Sequence, residues 1–206
     1  MAVSSYITIY RTINIARVHR QTHPPTAMGS LRSLLSLFTR SACTLDKLEI
    51  HRVHSLPGDL VQLLIHKSLN FLTSLGICHY VSNQNDGVPV NDEVLQILTL
   101  HHDNSACTRL KFLSLHCRAT QCSQSAFLKL VESRIGSCAA KQPQDGLLYL
   151  HIENNREPEA LDSQPRLDEV IKRSEMEYES RDYGNLRLRR RGFRGNLPVL
   201  HDFFGT

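Results

Sequence analysis

The chain has 206 residues, the size of one ordinary domain, and 41% hydrophobic with 21% charged residues is not the composition of a disordered chain. Six Cys are too few for a disulfide scaffold and read as reduced thiols of a cytosolic or nuclear protein, and no apolar run approaches the length that crosses a bilayer. A formal charge of +4 excludes a histone-like polycation but not a local basic patch.

The first acidic residue is Asp46; before it stand Arg11, Arg17, Arg20, Arg32 and Arg40 among many Ser and Thr. That is the composition of a mitochondrial presequence. The periodicity opposes it. Ile7, Ile9, Ile13 and Ile15 recur every second residue, with Thr8, Tyr10, Thr12 and Asn14 between them, which predicts a strand. β-Branched residues also resist the amphipathic helix that a presequence needs. His23-Pro24-Pro25 ends the segment and begins a linker to Gly29.

Helical spacing follows. Ser30 to Thr39 places Leu31, Leu34, Leu35 and Phe38 on one face. Asp59 to Lys67 does so with Leu60, Leu63 and Leu64, after a Pro57-Gly58 turn. Asn91 to Leu100 carries Val94, Leu95 and Leu98 behind an Asn91 or Asp92 cap. Ser123 to Ile135 carries Phe127, Leu128, Val131 and Ile135, with Gly136 as the stop. A fifth helix, from about Leu167 to Ser180, would carry Val170, Ile171 and Met176.

Each of the first four helices precedes the pattern Leu-x-x-Leu-x-[Ile/Leu]. Its copies are Leu45-Leu48-Ile50, Leu72-Leu75-Ile77, Leu110-Leu113-Leu115 and Leu147-Leu150-Ile152, with starts 27, 38 and 37 residues apart. The short link before the strand recurs as Ser41-Ala42-Cys43-Thr44 and Ser105-Ala106-Cys107-Thr108. These repeats predict an α/β fold: an irregular leucine-rich-repeat-like solenoid of about four helix–strand units with parallel strands. The competing reading is an ordinary α/β domain in which the repeat is coincidental. Spacings of 37 and 38 favour that reading, since leucine-rich repeats run to roughly 20–29 residues. Insertions such as Val81 to Pro89 would supply the extra length.

Charge divides the chain further. Met1 to Ile152 holds 14 basic and 9 acidic residues, Glu153 to Asp182 holds 5 basic and 10 acidic, and Tyr183 to the end holds 5 Arg and one Asp. With Pro158 and Pro165 this predicts a boundary near Asn154 to Pro165. The expected organisation is a strand-like segment and linker over 1–29, the repeat domain over 30–155, and an acidic helix with a partly disordered Arg-rich tail over 156–206. Terminal repeats need polar caps. Neither Ile7–Ile15 nor the Leu167 helix reads as one, so marginal stability or a need for a partner is expected.

Three phrases carry a resemblance: Ser41-Ala42-Cys43-Thr44-Leu45-Asp46-Lys47-Leu48, Leu69-Asn70-Phe71-Leu72-Thr73-Ser74-Leu75 and Leu130-Val131-Glu132-Ser133-Arg134. Over roughly Ser30 to Ile152 the chain resembles the C-terminal half of the large fungal family of F-box proteins with degenerate leucine-rich repeats. The resemblance implies non-catalytic protein recognition, as in selecting substrates for a ubiquitin ligase. The F-box has no counterpart in Met1 to Gly29, so a ligase adaptor is implied as partner only if an F-box lies upstream. The asparagine that commonly ends the leucine-rich strand motif is also mostly absent: Val53, Tyr80 and Arg118 stand at its positions, and only Asn155 fits.

Alternation along such strands sends Lys47, Glu49 and His51 to the side away from the Leu positions, with Ser74, Gly76 and Cys78, Phe112, Ser114 and His116, and Tyr149, His151 and Glu153. Two aromatics, three His and few charges suit a protein or peptide partner; equally, these are solvated strand positions. Arg187, Arg189, Arg190, Arg191 and Arg194, around Gly192-Phe193-Gly195, support a second function, a small nucleic-acid-binding or nuclear protein, against a plain solvated tail that neutralises the acidic segment.

Enzyme signatures are missing. There is no G-x-G-x-x-G, no G-x-x-x-x-G-K-[ST] and no G-x-S-x-G. His101-His102 and His116-Cys117-x4-Cys122 lack the paired spacing of a zinc site, and His101-His102 suit the end of the third helix. A Cys–His pair stays open on residue content, though no spacing favours one Cys. The expectation is no catalysis, no metal, no cofactor and no membrane, in the cytoplasm or nucleus.

Overall fold

The computed structural model describes residues 12–16, 31–41, 44–51, 57–78, 90–100, 106–117, 122–136, 146–154, 165–182 and 185–195. Helix and strand alternate: β1 (Thr12–Ala16), α1 (Leu31–Ser41), β2 (Lys47–His51), α2 (Pro57–Leu64), β3 (Ser74–Cys78), α3 (Asp92–Leu98), β4 (Phe112–Cys117), α4 (Gln124–Gly136), β5 (Tyr149–Asn154), α5 (Pro165–Arg173), β6 (Met176–Asp182) and β7 (Asn185–Arg190). The fold is mixed α/β around one mostly parallel sheet.

The strands lie in the order β1-β2-β3-β4-β5-β7-β6. Neighbours from β1 to β5 are parallel and β5-β7-β6 is antiparallel. The four Leu patterns stand in register: Leu48 opposite Leu75, Leu75 opposite Leu113, Leu113 opposite Leu150, and Ile50, Ile77, Leu115 and Ile152 likewise. The leading residues Leu45, Leu72, Leu110 and Leu147 are buried with them. A second repetition keeps the same step. The carbonyl of Asp46 accepts from the N–H groups of Thr73 and Ser74, that of Thr73 from Lys111 and Phe112, and that of Lys111 from Leu148 and Tyr149, at 2.8–3.1 Å. Each strand start is thus fastened to the one before it, at the spacing read from the Leu pattern.

Residues from all five helices join the strand leucines in one core cluster, so the helices cover one side of the sheet. Consecutive helices touch: α1 with α2, α2 with α3, α3 with α4, α4 with α5. In α1 the buried residues are Leu31, Leu34 and Phe38, with Leu35 partly buried, as the spacing predicted. Asn91 caps α3, its Oδ1 accepting from Val94 N–H at 3.0 Å. Ser123 caps α4, its Oγ accepting from Ala126 N–H at 3.2 Å. Its own N–H donates to Asp92 Oδ1 at 2.5 Å, which ties the heads of α3 and α4 together.

Several expectations need correction. Pro57 and Gly58 are the first turn of α2 rather than a turn before it; a missing N–H costs nothing where no intrahelical acceptor exists. That helix stops at Leu64, and Lys67–Leu69 is a 3-10 turn. The third helix ends at Leu98, short of Leu100. His101 and His102 lie outside the described residues, as do Ile7, Ile9, Cys43, the 81–89 insertion and the positions of the missing asparagines.

The largest correction is at the C-terminal end. The fifth helix stops at Arg173, and Met176 begins a strand. Three of the five tail Arg residues, Arg187, Arg189 and Arg190, belong to β7. Residues on both sides of the expected 154–165 boundary share one sheet, because β7 pairs with β5. The hairpin also closes the end of the core: Leu186 and Leu188 are buried, while the edge strand β6 carries the charged residues Glu177, Glu179, Arg181 and Asp182, a composition that discourages further strand pairing. Among the described residues no helix is long and apolar enough to cross a membrane.

Candidate partner-binding face

The sheet face turned away from the helices is laid out in rows by the register. One row runs Lys47, Ser74, Phe112, Tyr149, Arg189, Glu177; the next runs Glu49, Gly76, Ser114, His151, Arg187. A third holds His51 opposite Cys78, and His116, Glu153 and Asn185 side by side. The structure thus brings all the sequence-derived positions onto one face. It adds Asn185, Arg187, Arg189 and Glu177, which sequence reading had assigned to a tail and a helix. The signal was present in the alternation Asn185-Leu186-Arg187-Leu188-Arg189, overshadowed by the Arg run. Only backbone positions are described for His51 and Cys78.

Size varies along these rows. Ser74, Gly76 and Ser114 form a patch of small residues between Lys47 and Glu49 on one side and Tyr149 and His151 on the other. The face is not simply solvated: Glu49, Ser74, Tyr149 and His116 are each less than a tenth exposed. Burial brings pairing. Lys47 Nζ lies 2.6 Å from Glu49 and Arg189 lies 3.1 Å from Glu177. Arg190, at the end of β7, pairs with Glu175. The acidic stretch therefore neutralises much of the basic stretch across a hairpin. Arg191 and Arg194 are exposed.

His151 stands at the centre of the polar group. Ser114 Oγ is 3.2 Å from its Nδ1, and His116 Nδ1 is 3.9 Å from Glu153. Burial, and then the neighbouring Arg187, hold the His151 imidazole down to about 4; Asn185 acts the other way and His116 adds to the depression. Burial pushes the Glu153 carboxyl up, against the pull of Arg187. A base held near 4 is neutral at pH 7 and a weak proton acceptor there. Arg187 Nε and Ser74 Oγ are buried without a hydrogen-bond partner, whereas His151 has the Asn185 side chain as its hydrogen-bond partner. Among the described residues no group of three or more His, Cys, Asp or Glu is placed to hold a metal ion.

This arrangement sets a pH dependence. The unfolded chain protonates His151 near 6.5 and the folded chain only near 4. Between those values the folded state binds fewer protons, so stability is full above the upper value and is lost as pH falls through the window. Glu153 opposes this, because its raised value lets the folded state take up a proton first. The expected net loss from pH 7 to pH 4.5 is about 1–2 kcal/mol, read from urea midpoints. His151→Gln should abolish that fall, and an unchanged slope in the variant would refute the assignment.

Comparison of the chain with protein-family models, curated proteins and solved structures found no match.

Proposed function

We propose that this chain is a non-catalytic recognition module, an irregular leucine-rich-repeat arc whose outward sheet face receives a protein partner. The resemblance to the substrate-facing half of F-box proteins gives the reading its biological form: selection of a protein for ubiquitin transfer, in the cytoplasm or nucleus, with any ligase adaptor held by an F-box outside this sequence. The observation that carries it is the in-register face, where aromatics, small residues and buried polar atoms without partners lie side by side. Buried polar groups left unpaired are costly, and an incoming backbone or side chain would satisfy them. The poor basicity of His151 supports binding over catalysis. The pairing of Arg189 and Arg190 with glutamates weakens the alternative of a free nucleic-acid-binding arm.

The test is a pair of variants in one capture experiment, with cross-linking and mass spectrometry on the full chain. Phe112→Ala should lower recovery of a specific partner at least tenfold, at an unchanged melting temperature. Arg191→Gln with Arg194→Gln should leave it intact, and recovery should hardly change between low and moderate salt. Loss with the Arg pair, together with a steep salt dependence, would favour nucleic acid and defeat the proposal.

A further inference from the structure

The phrase Arg191-Gly192-Phe193-Arg194-Gly195 looks like part of a charged tail, but it is a built turn. Phe193 N–H donates to the Arg190 carbonyl at 3.1 Å and Arg191 N–H to the Glu175 carbonyl at 2.7 Å. Gly192 has φ +75°, which a side chain would disfavour. The turn carries Phe193 back over the sheet. Its ring meets Phe112 edge-on, with centroids 6.1 Å apart and planes at 61°. Since β7 and β4 are separated by β5, this contact spans two strand intervals, roughly 10 Å. Gly195 fits close against the same ring: a Cβ there would lie 2.6 Å from Phe193 Cζ and 2.8 Å from Cε2. Two glycines and two backbone hydrogen bonds thus set one aromatic ring onto the candidate binding face.

We infer that the place beside Phe112 is an anchor site for an aromatic side chain of the partner, and that Phe193 is its resting occupant. This rests on the recognition reading above and narrows it to a partner with an exposed Phe, Tyr or Trp. Three features support it. Phe112 is only partly buried, and its in-register neighbour Ser74 is a small residue. Aromatic anchors in central pockets dominate protein interfaces. Phe193 itself is only half-buried and is not a member of the core cluster, so its placement serves the face rather than the core. A tethered occupant competes with the partner without preventing binding. An edge-to-face pair holds by about a factor of ten, and a partner therefore binds more weakly by about that factor while the turn is closed.

The probe is N-acetyl-phenylalanine amide, titrated into the full chain while the backbone amide resonances of Ser74, Phe112 and Tyr149 are followed. Phe193→Ala should bind the probe about tenfold more tightly than the unaltered chain, and adding Phe112→Ala should remove the gain. Gly195→Val provides a second route, because its side chain would push the Phe193 ring aside while the residue remains; it should give the same gain. If both single variants keep the melting temperature and bind the probe no better than the unaltered chain, the inference is overturned. If Phe193→Ala fails to fold, Gly195→Val decides alone. The probe needs no natural partner, so its result is separable from that of the capture experiment. A gain in probe affinity supports the anchor site even where capture fails, and its absence beside successful capture removes the anchor site only.

Discussion

Arg134→Ala should cost the fold about 3–5 kcal/mol, seen as a large drop in the urea midpoint at an unchanged slope. Arg134 is 3% exposed and sits near the end of α4. Its Nε donates to the Leu98 carbonyl at 2.7 Å, one terminal nitrogen to Cys107 at 2.9 Å and the other to Ala106 at 3.1 Å. Leu98 ends α3, so the guanidinium takes up a carbonyl with no helical acceptor role left and lies at the negative end of that helix. Cys107 has φ 53°, a left-handed conformation unusual for a residue with a side chain, and its carbonyl is held by the same cation. Burial lowers the guanidinium to about 10 and raises the Cys107 thiol to about 11, so at neutral pH the arginine is charged and the thiol is not. Alanine would take this donor from the buried Leu98 and Ala106 carbonyls and leave that of Cys107 with only the Leu110 N–H at 3.3 Å. Arg134→Lys should recover little, because one ammonium cannot reproduce the planar fork. A loss below about 1 kcal/mol in Arg134→Ala would mean that the carbonyls find other donors.

That clamp shows where the sequence was legible and where it was not. The Leu-x-x-Leu-x-[Ile/Leu] copies could be found because a strand and its helix bury residues at fixed spacing, and the copies fall in register as expected. The Val-Glu-Ser-Arg phrase could be noticed as a pattern, but its work was invisible: Ser133 Oγ accepts from Leu100 N–H and Arg134 reaches Leu98, 33 and 36 residues away. The Cys of the second Ser-Ala-Cys-Thr link was equally opaque. Its thiol lies 3.9 Å from the Leu64 carbonyl, at the end of α2. No local periodicity encodes such long-range contacts. On the face, strand alternation placed Phe112, Ser114, Tyr149 and His151 together, whereas the burial of Glu49 and Ser74 needed the assembled fold. Phe193 was hidden inside a charge run.

Leu188→Ala should destabilise the whole protein by about 2–5 kcal/mol in a single transition, with amide protection falling in β4 as well as in β7. The expectation separates two pictures of the last third of the chain. If the Arg-rich stretch were a solvated arm, trimming one leucine from it would shift stability by no more than about 0.5 kcal/mol. Leu188 instead is 0% exposed and stands opposite Leu150 on one side and Tyr178 on the other. It belongs to the same core cluster as Leu48 and Leu113. Arg189→Gln, one residue away and on the opposite face, is the matched control. Its side chain is 39% exposed and its partners Glu177 and Glu179 are comparably open, so its loss should cost about 0.5 kcal/mol or less. The contrast between neighbours follows from strand alternation: Leu188 points into the repeat core and Arg189 onto the candidate face. The hairpin therefore both closes the hydrophobic end of the parallel sheet and extends its outward surface. Mutations on its two faces should separate accordingly, one affecting stability and the other recognition.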